Sequence, residues 1–340
     1  MKNKTETYLK IATWGNILYK FNKYVLSHKD LDPKDTILIA GTPRSGTTWF
    51  EEMVINFSSY TFLHEPLQPV WFPDSIKAGF NARSSYIPVD SVNKKAERYI
   101  RKILTGKVYS YLPAYRFEAK MIMDYLLGDK LLVKSVRMNR ILPWVASNFE
   151  TKHLYLVIRH PCAVISSQLK SGFIGYHSKK PPFLPVFPTV KNIVDDAGKI
   201  ENLDSKVITK LKKIKTKEEI LAVAWCLDTF VPLNCKKPRP WTTIFYEKCI
   251  KDRDKIISNI FDEIGLEKPS DKDIIYENKP SMSASWSEES KSITNADKQL
   301  SKWKRTLSEK QINNILKIVK IFDLDFYTEN IEPDYKQVSI

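Results

Sequence analysis

Cysteine is scarce in this chain. The four present, Cys162, Cys226, Cys235 and Cys249, form no C-x-x-C pair and have no histidine partners at metal-ligand spacing. A zinc module is therefore not expected, and the thiols read as reduced, structural groups of a cytoplasmic protein. Long apolar runs are missing too: none reaches the ~18 residues of a membrane-spanning helix. The opening Met-Lys-Asn-Lys-Thr-Glu lacks the apolar core of a signal peptide. Glycine is sparse, and neither an internal repeat nor a domain linker divides the sequence, so residues 1–340 are expected to form a single domain.

What the chain does have is a hydrophobic content of 43%, aromatics at 12% and a formal charge of +15, which argue for a packed protein rather than a disordered one. The positive balance points to an acidic partner: a phosphorylated cofactor, an anionic glycan, nucleic acid or a membrane surface. Many of the lysines read equally well as solvated surface. Nucleic acid has only the charge in its favour, because no recognised module or aromatic–basic repeat is present.

The most informative stretch is Thr36-Ile-Leu-Ile-Ala-Gly41 followed by Thr42-Pro-Arg-Ser-Gly-Thr-Thr-Trp49. The first part is an apolar, uncharged run of the kind buried in a parallel sheet. The second is a turn leading into Phe50 to Phe57, where apolar residues recur at helical spacing. A strand, a tight turn and a helix present several backbone N–H groups at a helix N-terminus, which favours an anion. Gly41-x4-Gly46 has the spacing of a phosphate-binding loop, but Thr47-Thr48 replaces the usual Lys-Ser/Thr. The lysine that reaches β/γ-phosphates is thus absent, and the cation sits inside the loop as Arg44. An ordinary triphosphate is not the expected ligand.

Taken in order, Tyr8 to Leu26 reads as an amphipathic helix packed on the domain, with membrane-surface contact as the alternative. Further strands are expected at Tyr60–Leu63, Lys130–Lys134, Lys152–Ile158 and Trp241–Phe245. Helices are expected at Val92–Leu104, Phe117–Leu127, Asn139–Phe149, Cys162–Leu169, Glu218–Phe230 and Asp254–Ile264. A last helix starts with Ser308 as N-cap and runs to about Phe322. Leu67–Pro88 reads as an ordered excursion over the sheet and Gly172–Ile200 as an irregular loop, both shaping a substrate pocket, and Glu267–Asn295 as a loop reaching back over the site. The alternation predicts an α/β fold: a doubly wound, mostly parallel sheet with ligands at the strands' C-terminal ends. Arg44, Glu65, Lys134, Arg159 and Tyr246 all fall at such ends.

Pro43-Arg-Ser-Gly-Thr-Thr-Trp49 after a strand resembles the 5′-phosphosulfate loop of the sulfotransferases. Arg159 with Ser167 eight residues later is similar to that family's 3′-phosphate segment. The resemblance spans most of the chain from Thr36 to Tyr246, and is closer to the carbohydrate and bacterial branches, where Arg often stands at the position of Arg44. Lys302-Trp303-Lys304-Arg305 resembles their C-terminal segment more loosely. The resemblance implies 3′-phosphoadenosine 5′-phosphosulfate (PAPS) as donor, no metal, and transfer of a sulfuryl group to an acceptor hydroxyl or amine, with a carbohydrate as the leading acceptor. On that basis Arg44 and the N–H groups of Ser45, Gly46, Thr47 and Thr48 take the 5′ end of the donor. Arg159 and Ser167 take the 3′-phosphate, and Lys304 and Arg305 of the C-terminal segment also belong to the donor site. Trp49 and Tyr246 flank the adenine.

Arg44 and Lys134 are the candidates to stabilise charge on the leaving group, and a general base is required at the acceptor. The cytosolic branch places its base in a Lys-Thr-His segment; here Lys134-Ser-Val136 lacks the histidine. Other members use a Glu within a Glu-Pro pair, which favours Glu65, while His64 competes for the role. A small-molecule kinase and a non-catalytic polyanion-binding protein remain as alternatives.

Overall fold

The computed structural model describes residues 20–338, apart from 22, 57, 81–84, 110–122, 124–125, 172–185, 237 and 268–295. After a 3-10 turn at Pro33–Asp35, the chain forms β1 (Ile37–Gly41), α1 (Thr47–Asn56), β2 (Tyr60–His64), α2 (Asp74–Lys77) and α3 (Lys94–Leu104). Next come β3 (Lys130–Ser135), a 3-10 turn at Asn139–Ile141, α4 (Leu142–Asn148), β4 (His153–Ile158) and α5 (Pro161–Ser171). They are followed by α6 (Val190–Ala197), α7 (Ser205–Leu211), α8 (Lys217–Leu233), β5 (Thr242–Phe245), α9 (Tyr246–Lys251) and α10 (Arg253–Ile264). The C-terminal part holds α11 (Ala296–Leu300), α12 (Lys302–Thr306) and α13 (Glu309–Ile321).

The five strands lie in the order β2-β3-β1-β4-β5, and all neighbours are parallel. Side chains alternate across a strand, so β1 serves two cores at once. Ile37 and Ile39 pack with Phe50, Val54, Tyr155 and Phe261 under α1 and α10. Leu38 and Ala40 face the opposite side, with Ile100, Trp144, Val164, Trp225 and Val319 from α3, α4, α5, α8 and α13. Parallel strands need crossover connections, and the helices that make them cover both faces. The fold is the doubly wound α/β arrangement that the alternation predicts.

The boundaries follow local chemistry. Pro161 occupies the first turn of α5, where its missing N–H costs nothing. Gly265 ends α10 in the left-handed region, with φ 68°. Ser308 caps α13 and exchanges hydrogen bonds with Gln311 in a capping box. One expectation is corrected: Gly172–Ile200 is not irregular throughout, because Val190–Ala197 is helical. Thr189 forms a capping box with Asn192, and the buried Ile193 and Ala197 sit one helical turn apart. Of the helix expected over Tyr8–Leu26 only the end, from residue 20, lies among the described residues, and it is helical. Most of Phe117–Leu127 and nearly all of Glu267–Asn295 lie outside them. All four cysteines are free, and Cys162, Cys226 and Cys249 are buried. Among the described residues no helix is long and apolar enough to cross a membrane.

Candidate functional site

The register brings the strand ends into line: Ala40 lies beside Ser135, Gly41 beside Val157, His64 beside Lys134 and Ile158 beside Phe245. The polar residues that follow therefore share one edge of the sheet. They form two clusters on either side of the central strand β1.

The first cluster joins the loop after β1 to the ends of β4 and β5. Gly46 has φ 97°, and a Cβ there would lie 2.3 Å from the Tyr246 ring, so only glycine allows that ring to rest on the loop. Arg44 also has a positive φ, 76°, uncommon for a residue with a side chain and a form of strain that gathers at functional sites. Its Nε donates to Ser167 Oγ at 2.9 Å. Arg159 Nη1 donates to the Arg44 carbonyl at 3.2 Å, and its guanidinium lies 4.3 Å from the centre of the Tyr246 ring. Gln299 Nε2 donates to the Tyr246 hydroxyl at 3.0 Å. Burial first, then the like charge of Arg159, push the Arg44 guanidinium down from its ordinary value. Neither arginine forms an ion pair among the described residues. Two adjacent guanidinium groups with no carboxylate in ion-pair contact among the described residues are an incomplete charge arrangement that an anion would complete.

Ser45 strengthens that reading. Its hydroxyl is fully buried in the loop and has no hydrogen-bond partner among the described residues. An oxyanion in the loop gives it one. Thr47 and Thr48 open α1 beside it, with Thr47 buried and Thr48 half-buried, and Trp49 lies 5.9 Å from the Arg253 guanidinium. Lys304 and Arg305 are exposed on α12, which is pinned where Trp303 stacks on His160 at 4.5 Å and Thr306 meets Ser166 at 2.6 Å. The 5′ and 3′ groups expected to be separate thus meet through the Arg44–Ser167 bond. The Tyr246 ring, expected beside an adenine, is in contact with Gly46 and Arg159.

The second cluster lies at the ends of β2 and β3. Lys134 Nζ donates to Glu65 Oε1 at 2.8 Å, with both side chains about 95% buried. The Val136 N–H donates to both oxygens of the same carboxylate, at 3.2 and 3.1 Å, and Arg137 stands 3.9 Å from it. Burial alone would push the Glu65 carboxyl up. Lys134, His64 and Arg137 outweigh it and hold the group below the usual carboxylate range. Glu65 has φ 53°, so the turn that presents it is strained as well. His64 directs Nδ1–H to both oxygens of Glu51, at 3.1 and 3.0 Å, and its ring lies 5.9 Å from that of Trp71. Among the described residues no group of three or more His, Cys, Asp or Glu side chains is placed to hold a metal ion.

Glu51, Trp71, Gln299 and the Glu247–Tyr327 contact beneath Arg159 are not evident from the sequence motifs. A signal for Glu51 does exist: it stands three and four residues before Val54 and Ile55, both buried, so helical period alone puts it on the covered side of α1.

The fold is α/β, and the loop after β1, spaced like an altered phosphate loop, brings Arg44 against Arg159. No protein-family model matches the chain, and no curated protein does. Three solved structures show a distant likeness. The sulfotransferase domain of the Synechococcus PCC 7002 olefin synthase is 15% identical, with a TM-score of 0.43 over 87% of this chain and 96% of that one. The sulfotransferase domain from the curacin biosynthetic pathway is 16% identical, with a TM-score of 0.42 over 84% and 96%. Mouse sulfotransferase SULT7A1, complexed with PAP, is 14% identical, with a TM-score of 0.41 over 90% of each chain. Likeness at this level leaves the functional case to the residues themselves.

Proposed function

We propose that the protein is a sulfotransferase that takes PAPS as donor and passes its sulfuryl group to the hydroxyl of an acceptor. The observation that carries this reading is the pair Arg44–Arg159: two touching cationic residues with no ion-pair partner among the described residues, beside a loop that lacks the lysine of a triphosphate site. The donor brings the sulfuryl group and leaves as adenosine 3′,5′-bisphosphate. Arg44 and the loop N–H groups hold its 5′ phosphate, where negative charge accumulates as the sulfur–oxygen bond breaks. A fixed cation there stabilises the transition state more than the ground state, by about 3 kcal/mol. Arg159, Ser167, Lys304 and Arg305 take the 3′-phosphate. The acceptor enters at the ends of β2 and β3. Half-buried Trp71 offers a flat apolar face there, which suits a sugar ring.

Thermal unfolding with added nucleotide tests the reading. Adenosine 3′,5′-bisphosphate raises Tm in the absence of Mg²⁺, and Arg44→Ala and Arg159→Ala each reduce the shift. Arg44→Ala also lowers transfer of label from PAPS by about 10²-fold or more. A shift with Mg-ATP and none with the bisphosphate would replace this reading with a kinase. A bisphosphate shift without transfer to any acceptor in a carbohydrate screen would reduce it to a binding protein.

A further inference from the structure

Tyr246 opens α9 directly after β5, so its backbone is set where strand passes into helix. Its ring is then met on an edge, a face and the hydroxyl. The edge lies against Gly46, where a Cβ would stand 2.3 Å from one ring carbon and 2.6 Å from the next. The Arg159 guanidinium lies over the face, 4.3 Å from the ring centre. The hydroxyl accepts a hydrogen bond from Gln299 Nε2 at 3.0 Å and has no other partner among the described residues. These contacts restrain different motions. The hydroxyl lies on the axis about which the ring flips, so the Gln299 bond leaves flipping free. It opposes the swing about the Cα–Cβ bond, which is the movement that would lift the ring off Gly46 and Arg159.

The position of Gln299 is itself specified. On α11, Asp297 pairs at 3.1 Å with Lys251, which closes the helix that Tyr246 opens. That pair is partly solvated, with the Asp297 side chain 66% exposed, and it contributes little by itself. Leu300 is buried, and on α12 Trp303 stacks at 4.5 Å on His160, the residue next to Arg159. Residues 296–306 thus brace both partners of the Tyr246–Arg159 contact. We propose that Gln299 is a positioning residue of the donor site: it fixes the Tyr246 ring against Gly46 and Arg159, and so sets how tightly the nucleotide is held, without touching the nucleotide. This rests on the donor reading above. A guanidinium kept over a ring face meets an anion already in place, so the cost of ordering ring and cation falls on folding instead of on binding. When the Gln299 bond is removed, ring and guanidinium sample more positions, and the nucleotide has to order them.

Two measurements on the full chain test this. The first needs no nucleotide. With 3-fluorotyrosine incorporated, the fluorine resonance of Tyr246, identified by its loss in Tyr246→Phe, is expected to shift and broaden in Gln299→Leu while the other tyrosine resonances stay in place. The second is calorimetric titration with adenosine 3′,5′-bisphosphate. Gln299→Leu is expected to weaken binding by about 3–10-fold, with the unfolding midpoint in the absence of nucleotide close to that of the wild type. Tyr246→Phe, which keeps the ring and removes the hydroxyl, is expected to weaken binding to the same extent. The double variant should be no weaker than either, because all three lack the same bond. Additive losses overturn the proposal, since Gln299 then acts independently of Tyr246. An unchanged affinity in Gln299→Leu overturns it too, as does a Tyr246 resonance that does not move. A weaker affinity accompanied by a lowered midpoint and shifts in many tyrosine resonances marks a general loosening around α11, and counts against a positioning role. If the wild type itself does not bind the bisphosphate, the donor reading fails and the role of Gln299 fails with it; if the wild type binds and the cycle is additive, the positioning role alone fails.

Discussion

Gly46 and Gly79 share nearly the same backbone conformation, φ 97° and 95°, but not the same surroundings. A Cβ on Gly46 meets the Tyr246 ring, while nothing lies within 4 Å of one on Gly79. Gly79→Ala is therefore expected to cost about 1 kcal/mol, the conformational term alone. Gly46→Ala should cost about 1–3 kcal/mol more and weaken the bisphosphate-induced Tm shift, because Tyr246 must move off the loop. Urea unfolding of the two variants separates the contributions.

His160 sets a second residue-scale expectation. Its Nε2–H donates to the Thr328 carbonyl at 2.9 Å, and Nδ1 accepts the Cys162 N–H at 3.1 Å. Burial pushes this imidazole down to about 3. In the unfolded chain it titrates near ~6.5, so as pH falls below that value the unfolded state binds the proton first and stability declines, by up to about 1.4 kcal/mol per pH unit. The decline continues toward pH 3. Half-buried His153, also pushed down, acts in the same direction. Glu247, pushed up by burial, acts in the opposite one, since the folded state takes up its proton first. His160→Gln should flatten the loss of stability between pH 6.5 and 5 relative to the wild type, as followed by urea unfolding. Residues such as Arg44, Arg159 and Tyr246 stand out in sequence because each lies within three residues of the end of an apolar strand. Glu51 does not, because only the crossover from α1 to β2 brings its partner His64 near.

At the scale of elements, the strands were legible to within a residue or two. Each is a short apolar run bounded by turn residues, and a strand buried on both faces has no polar alternation to blur it. Helix ends with their own chemistry, Pro161, Gly265 and Ser308, were legible too. The helix Val190–Ala197 was not: proline-rich sequence ahead of it masks a short element whose stability comes from Ile193 and Ala197 docking on the core. Strand β1 should be the most sensitive element to truncation. Ile39→Ala removes a fully buried side chain in the middle of the sheet and is expected to cost about 2–5 kcal/mol. Val92→Ala, at an 85% exposed position, should stay within about 0.5 kcal/mol. Denaturant midpoints of the two variants provide the comparison.

For the whole molecule, the formal charge of +15 surrounds a site whose own cations are Arg44 and Arg159. Long-range attraction among exposed charges is screened beyond roughly 8–10 Å at physiological salt. The association rate of the bisphosphate should therefore fall markedly between 50 and 500 mM NaCl, while its dissociation rate, set by contacts within the site, changes less. Stopped-flow binding at the two salt concentrations measures both. Charge makes an anionic partner the expectation from composition, but the division of the sheet edge into two polar clusters depends on strand order, which no local motif encodes.

The contact beneath Arg159 bears on how the protein is made. Tyr327 donates its hydroxyl to Glu247 at 2.9 Å, Glu247 in turn accepts the His160 N–H, and the Thr328 carbonyl takes the His160 ring proton. During synthesis every strand leaves the ribosome before Tyr327 does. The sheet can assemble on the nascent chain while the peptide after Arg159 still lacks its support. The support of the loop that carries Arg159 is then acquired only after the scaffold is in place.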